Sequence, residues 1–190
     1  MESTVKIAYL PPVSWCQSAV ATGEFLIEGH EHYQKGSWRN RCEIAGPNGR
    51  QLLSIPLVKG KNNKMPIRDV RIAFDEPWQR QHWRSIRTAY GSAPFFEHYA
   101  DELVAFYEKK YIFLFDLNLE LIEFVLLQKM KWPGRILVTD VYQPFSSRPT
   151  VSPPRYPQVF EDKNGFLPDL SVLDLLMCAG KNGLDYLQQL

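Results

Sequence analysis

Residues 5–28, VKIAYLPPVSWCQSAVATGEFLIE, decide the fold that the sequence predicts. The apolar run at residues 5–10 is typical of a β-strand, and the two prolines that follow end it because proline has no amide hydrogen to donate. Ser14 can cap a short helix that ends at Gly23, and residues 24–28 are typical of a second strand. A strand, a helix and a second strand in this order favour a parallel pair.

The segment after this unit is predicted to contain a β-hairpin and two further strands. Asn-Gly within Gly46-Pro47-Asn48-Gly49 is a strong signal for a hairpin turn. Strands are predicted at residues 38–45, 51–57, 67–74 and 136–141, the last of which returns to the sheet. The prolines between residues 144 and 157 require an extended or turning path, either a docked loop or a swapped arm.

The second half of the chain is predicted to be mainly helical. Asp75 or Glu76 could cap its first helix, and Ser171 with Asp174 resembles a capping box in which aspartate replaces glutamate. Helices are predicted at residues 77–90, 99–109, 112–131 and from residue 171 to about residue 180, followed by a last short helix. The predicted fold class is therefore α/β, with a small, partly parallel sheet from the N-terminal half covered by helices from the C-terminal half. We expect one domain of residues 1–190.

The composition is that of an ordinary globular protein, which we expect in the cytoplasm. Hydrophobic residues make up 45% of the chain and charged residues 23%, which is enough apolar surface for a core. The first residues show no secretory signal. Acidic residues interrupt the longest apolar stretch, residues 111–127, so no membrane span is predicted. Cys16, Cys42 and Cys178 lie far apart in the sequence, so we expect free, buried thiols.

The charge is divided unevenly along the chain. Residues 28–87 contain 12 Lys and Arg against 6 Asp and Glu, whereas residues 88–190 contain 9 against 13. The first part is therefore predicted to face a partner and the second to form the scaffold. With a net charge of +1 and an isoelectric point near 7.7, the chain is too weakly basic to predict a nucleic-acid partner, and a small anionic substrate fits better. The sequence leaves the oligomeric state open.

Two windows of sequence concentrate the residue types that bind anions. Residues 28–41 and 68–87 contain seven of the eleven arginines, three of the five tryptophans and three of the four histidines. Arginine binds carboxylate and phosphate groups in a bidentate manner, and flat side chains stack on a sugar or a base. The mixture therefore indicates an anionic ligand that contains a ring. The alternative is a charged surface held by ion pairs alone.

The first window contains the candidate catalytic residues, His30 and His32. If the chain is extended there, both project to one face with Glu28, where they could bind a metal or act as a general base beside a carboxylate. Structural hydrogen bonding is the alternative to both roles. A third metal ligand is not evident, so we predict no bound metal. By the same alternation Arg39 and Arg41 form an anion clamp, and the other candidate ligand-binding residues of this window are Tyr33, Lys35, Trp38 and Asn40.

The second window is predicted to be a helix with one apolar face. On a helical wheel Trp78, His82 and Trp83 fall on one stripe, whereas Arg84 lies on the opposite side. His82 is therefore either a core histidine or a ligand-binding residue of a pocket lined by this stripe. Arg84 is either solvated or a further contact to the anion. Arg71 precedes the helix near the end of a predicted strand, which makes it another candidate for binding the anion.

Signatures of the common enzyme classes are missing from the sequence. There is no G-x-S-x-G nucleophile elbow, no glycine-rich phosphate loop, no H-E-x-x-H and no dinucleotide fingerprint. We therefore predict no cofactor, and the function has to be inferred from the clustered residues themselves.

Long blocks of the sequence resemble the WbqC-like family. The blocks lie at residues 9–15, 30–41, 77–90 and 165–180. The most specific markers are Asn40-Arg41 after Tyr33-x-Lys35, the run Trp78-Gln79-Arg80-Gln81-His82-Trp83, and the run Leu170-Ser171-Val172-Leu173-Asp174-Leu175-Leu176. The resemblance implies a role in the synthesis of bacterial O-antigen, capsule or another surface polysaccharide, with transfer of glycine or another acyl group to a sugar or sugar nucleotide.

These observations predict a cytoplasmic transferase that acts on an anionic sugar nucleotide or an activated acyl donor. In this hypothesis Arg39, Arg41 and Arg71 hold the anion. A histidine of the first window removes a proton from the acceptor, and Trp38 or Tyr33 stacks on a ring. The alternative is a non-catalytic protein that binds a ligand or organises the glycan-assembly machinery through the same surface. If the candidate side chains converge in one concave pocket, the transferase hypothesis is favoured over the non-catalytic one.

Overall fold

The computed structural model describes residues 3–60, 63–145 and 152–189. Its strands are β1 (Ser3–Lys6), β2 (Glu24–Glu28), β3 (Arg41–Gly46), β4 (Gly49–Ser54) and β5 (Arg135–Val138). Its helices are α1 (Val13–Val20), α2 (Trp78–Tyr90), α3 (Phe96–Glu108), α4 (Leu114–Glu123), α5 (Glu161–Asn164), α6 (Val172–Ala179) and α7 (Gly183–Leu187). Helix α4 continues as a π-helical segment over Phe124–Lys129.

A three-stranded parallel sheet joins the two halves of the chain. Strand β2 lies in the centre, with β1 on one side and β5 on the other. In the register, Val5 of β1 lies opposite Ile27 of β2, which lies opposite Val138 of β5. The predicted parallel pair and the return of a later segment to the sheet are confirmed, as is the α/β class.

The first strand ends four residues earlier than predicted, because the buried side chains after Lys6 pack into the core while their backbone leaves the sheet. Leu10 has a φ of 40°. The Tyr9 N–H donates to the carbonyl of Trp38 at 2.9 Å. The cap prediction for α1 is wrong as well: the helix begins at Val13, and Ser14 instead donates from its hydroxyl to Asp169 at 2.9 Å.

The hairpin of β3 and β4 forms around the predicted turn, with Gly46 opposite Gly49. Its strands are shorter than predicted, since residues 38–40 stay outside the ladder. The strand predicted at residues 67–74 is wrong. A 3₁₀ turn occupies Ile67–Asp69, and Ile72 then donates its N–H to the carbonyl of Ile112 at 3.0 Å. The backbone hydrogen bonds of this segment go to separate loops, so no continuous β-ladder forms.

Helix α2 packs with the predicted stripe inward. Trp78 and His82 are buried, whereas Arg84 is exposed. Neither Asp75 nor Glu76 caps the helix, because Pro77 occupies the N-cap position without a side-chain hydrogen bond. Helices α3 and α4 follow as predicted in number and order, with shifted ends.

Helix α6 is buried along its whole length and anchors the end of the chain. The Ser171 hydroxyl accepts from the Leu173 N–H at 3.2 Å, which confirms the cap. Asp174 does not complete a capping box: it is buried and accepts from the Tyr156 hydroxyl at 2.8 Å. The part of the proline-rich segment that is described is thus a docked loop, and Pro149 falls outside the described residues.

The core draws buried apolar side chains from both halves of the chain, from Val5 to Leu187. Cys16, Cys42 and Cys178 are buried and form no disulfide with one another, as predicted. Within the described ranges, no helix is long and apolar enough to cross a membrane.

Candidate functional site

The buried carboxylate of Glu28 holds neighbouring segments together at the carboxyl ends of β2 and β5. Glu28 accepts from the Thr139 hydroxyl at 2.9 Å, from the His30 N–H at 2.7 Å and from the Gln143 N–H at 2.6 Å. Strand β2 ends at this residue, so the predicted common face of Glu28 with the two histidines is wrong. Glycine is needed at position 29 because the Arg68 side chain packs against it: a Cβ there would lie 2.6 Å from the Arg68 guanidinium.

His30 and His32 are both exposed and line one cleft, which we call the histidine cleft. Its volume is about 580 Å³. Its other lining residues are Glu31, Tyr33, Gln34, Arg39, Asn63, Lys64, Tyr142 and Phe145. The structure therefore brings the two candidate catalytic histidines together at the carboxyl edge of the sheet, where open α/β sheets bind their ligands.

The wall of the histidine cleft contains a buried ion pair between Arg39 and Glu31, each 3% exposed. Burial raises the pKa of Glu31, and the hydrogen bond and charge of Arg39 oppose this shift. Asn118 holds the backbone by donating its amide to the Arg39 carbonyl at 2.7 Å. Arg39 is thus not the exposed half of a clamp that the alternation predicted, because β3 begins only at Arg41.

A second cleft, which we call the basic cleft, lies on the other side of Tyr33 and has a volume of about 760 Å³. Its lining residues are Tyr33, Lys35, Asn40, Arg41, Ser54, Ile55, Pro56, Leu57, Val58, Lys59, Gly60 and Asn63. Tyr33 and Asn63 line both clefts. The two arginines of the predicted clamp therefore line different clefts, with Tyr33 between them.

Asn40 has a structural role beside the basic cleft. The Tyr33 hydroxyl donates to the Asn40 side-chain oxygen at 2.9 Å, and the Asn40 amide donates to the Ile55 carbonyl at 2.9 Å. Burial raises the pKa of Tyr33, and the charges of Arg41 and Arg39 oppose this shift. The hydroxyl therefore stays protonated and acts as the donor.

The remaining predicted ligand-binding residues lie elsewhere. Trp38 is 45% exposed and does not line either cleft, and the Arg71 guanidinium lies over the ring of Phe113. Arg84 lines separate grooves beside the hairpin. His82 is buried within hydrogen-bond distance of the Tyr9 hydroxyl, 2.9 Å, and burial lowers its pKa to about 4. Of the residues that the structure describes, none from the second window lines either of the two clefts.

Lys59, Lys64, Tyr142 and Phe145 are among the cleft residues that the sequence did not indicate. Tyr142 and Phe145 follow β5, and the general rule that ligands bind at strand carboxyl ends could have indicated them. Among the described residues, no three His, Cys, Asp or Glu side chains form a group that could hold a metal ion.

The model of the WbqC-like protein family matches residues 8–133. This chain belongs to the WbqC-like family. The match contains His30, His32, Arg39 and Arg41, whereas the resembling block at residues 165–180 lies beyond it. In this chain the matched region contains His30, His32 and the hairpin, whereas Tyr142 and Phe145, which also line the histidine cleft, lie after it.

The WbqC-like chain is also similar to the uncharacterised protein Rv1507c of Mycobacterium tuberculosis. The two are 32% identical over 104 residues, which is 54% of this chain and 44% of the relative. The chain thus matches less than half the length of that relative. No solved structure shows a significant match.

Proposed function

We propose that the chain is a cytoplasmic transferase of bacterial surface-polysaccharide synthesis that transfers glycine or another acyl group to a sugar. One observation carries the proposal: His30 and His32 are exposed in one cleft at the carboxyl ends of the parallel strands. This edge is the usual place of ligand sites in open α/β sheets. The resemblance to the WbqC-like family implies the polysaccharide setting.

The side chains around the histidines suit acyl transfer to an amine or a hydroxyl. A neutral imidazole can accept the proton of the attacking atom while its bond to the acyl carbon forms. When the tetrahedral intermediate collapses, the leaving group departs with its electron pair and takes the proton from the imidazolium. Lys64 lies on the same cleft, where a positive charge stabilises the oxyanion of the intermediate. Tyr142 and Phe145 offer flat surfaces to a sugar ring.

A non-catalytic role in ligand binding or scaffolding is the second candidate. Within the described part of the chain, the only hydrogen bond that His30 makes is the one from its backbone to Glu28, and neither imidazole has a partner. A catalytic base is generally oriented by a third group. This observation favours a histidine pair that contacts a ligand without moving a proton.

Complementation in cells distinguishes the two candidates. The wild-type chain should restore the acyl-sugar content of the surface polysaccharide in a strain that lacks the gene, as measured by mass spectrometry. The His30→Ala, His32→Ala double variant should fail, while His98→Ala, which removes an exposed histidine from α3, should succeed. Full restoration by the double variant, at equal protein level, would contradict proton transfer by these histidines.

A further inference from the structure

The basic cleft is lined by positively charged side chains that have no role in the proposed acyl transfer. Lys35, Arg41 and Lys59 line it, and its lining contains no acidic residue. No described acid forms an ion pair with any of the three. Three cations without a counter-charge, gathered on one concave surface, attract an anion of more than one charge.

We propose that the basic cleft binds the nucleoside diphosphate part of a nucleotide sugar, whose sugar reaches past Tyr33 into the histidine cleft. This inference rests on the proposed function, because it names the acceptor of the acyl transfer. Tyr33 and Asn63 line both clefts, so one extended ligand can occupy both.

Arg41 is the central residue of the diphosphate site. It opens β3 opposite Ser54 of β4, so its backbone position is held by the hairpin ladder. Its Nε is buried without a hydrogen-bond partner among the described residues, and no described acid forms an ion pair with its guanidinium. A half-buried arginine of this kind can form bidentate hydrogen bonds with phosphate oxygens.

Hydrogen bonds hold part of the lining of the basic cleft in place, which favours binding because little ordering is required. Asn40 and Ile55 exchange hydrogen bonds: the Ile55 N–H donates to the Asn40 carbonyl at 2.8 Å, and the Asn40 amide donates back at 2.9 Å. The Tyr33 hydroxyl completes this arrangement. A lining that is already held in place before the ligand arrives lowers the cost of binding.

An apolar strip beside the cations fits the nucleobase. Pro56, Leu57 and Val58 line the cleft, and Val58 is 44% exposed. The Val58 N–H donates to the Arg71 carbonyl at 3.0 Å, so the strip is held in place. Ligand sites combine such apolar walls with a few polar groups, and the cleft volume of about 760 Å³ is within the usual range for small-molecule ligands.

Calorimetric titration of the full chain tests the inference, with UDP and inorganic pyrophosphate as probes. We expect UDP to bind, and to bind more tightly than pyrophosphate because the base contacts the apolar strip. Arg41→Met should weaken UDP binding at least tenfold, and Lys35→Met should also weaken it. The matched control Arg87→Met removes an exposed arginine from α2 and should leave the affinity unchanged.

Each result bears on one part of the inference. Absence of UDP binding, or equal loss in Arg41→Met and Arg87→Met, would overturn the diphosphate site. Equal affinities for UDP and pyrophosphate would overturn the nucleobase strip. The His30→Ala, His32→Ala double variant should bind UDP normally. If it does so and yet supports polysaccharide synthesis in cells, the nucleotide site stands and the transferase proposal fails.

Discussion

The guanidinium of Arg39 and the carboxylate of Glu31 form an ion pair that is shielded from solvent on the wall of the histidine cleft. Removing one partner of a buried pair leaves an uncompensated charge, which typically costs about 3 to 5 kcal/mol. We therefore expect Arg39→Met to lower the free energy of unfolding by about that amount. Urea denaturation followed by circular dichroism measures it.

The double variant Arg39→Met, Glu31→Gln is the control for this prediction. It removes both charges, so most of the lost stability should return. A denaturation midpoint of Arg39→Met equal to that of the wild type would contradict the buried pair. It would instead support the exposed arginine that the sequence pattern predicted.

The two tryptophans of α2 should differ in their contribution to stability. Trp78 is 2% exposed, whereas Trp83 is half-buried and stacks on Phe96 and Tyr107 at the edge of the core. Trp78→Ala should destabilise the chain by about 3 to 5 kcal/mol, and Trp83→Ala by roughly half as much. Denaturation midpoints of the two variants, measured side by side, decide this. A larger loss in Trp83→Ala would reverse the assigned burial.

Asp174 should make the chain more stable in mild acid than at neutral pH. Burial raises the pKa of this carboxyl to about 6 in the folded state, above its ordinary value of 3.8. Between these values the folded state holds a proton that the unfolded state has lost, so this contribution to stability falls as the pH rises.

The variant Asp174→Asn has no carboxyl group to titrate at this position, so comparison with the wild type isolates the contribution of Asp174. The stability of the wild type minus that of the variant should decrease by about 3 kcal/mol from pH 3.5 to pH 7.5. Chemical denaturation at several pH values gives the difference directly. A constant difference would show that the carboxyl titrates alike in both states.

His82 should have the opposite effect. Burial lowers its pKa from 6.5 to about 4, so the folded state keeps it neutral while the unfolded state is protonated. Its contribution to stability is therefore lost as the pH falls from about 6.5 to 4. We expect His82→Gln to be less sensitive to acid than the wild type over this window. An unchanged slope of stability against pH would place His82 in contact with solvent.

We expect the purified protein to contain no stoichiometric transition metal. A catalytic zinc needs three protein ligands, whereas His30 and His32 supply two and Glu31 is paired with Arg39. Elemental analysis of protein prepared without chelators or a histidine tag tests this. Near-equimolar zinc, iron or manganese that disappears in the His30→Ala, His32→Ala variant would replace the base hypothesis with metal-assisted chemistry.

The parts of the fold with strong local signals were predictable from the sequence. The turn at Asn48-Gly49, the apolar stripe of α2 and the Ser171 cap each depend on neighbours in the chain, and each was confirmed. The strand predicted at residues 67–74 failed because its hydrogen-bond partners lie in separate loops, which no local pattern reveals.

The candidate site was predictable in its residues more than in its arrangement. The spacing of His30 and His32 indicated a common surface, and both line one cleft. The alternation rule failed for Arg39 because residues 38–40 are not a strand, and burial of this arginine depends on Glu31 and on the distant Asn118. Such contacts between remote segments cannot be read from one sequence.

The hydrogen bonds of Glu28 tie the backbone of His30 to Thr139 and Gln143, which lie beyond residue 133, where the family match ends. An exchange of residues 8–133 between two relatives would transplant the histidines without the groups that hold their backbone. A substitution of Thr139 therefore reaches the backbone of His30 through the carboxylate of Glu28. A chimera should regain their geometry only when both segments come from the same parent.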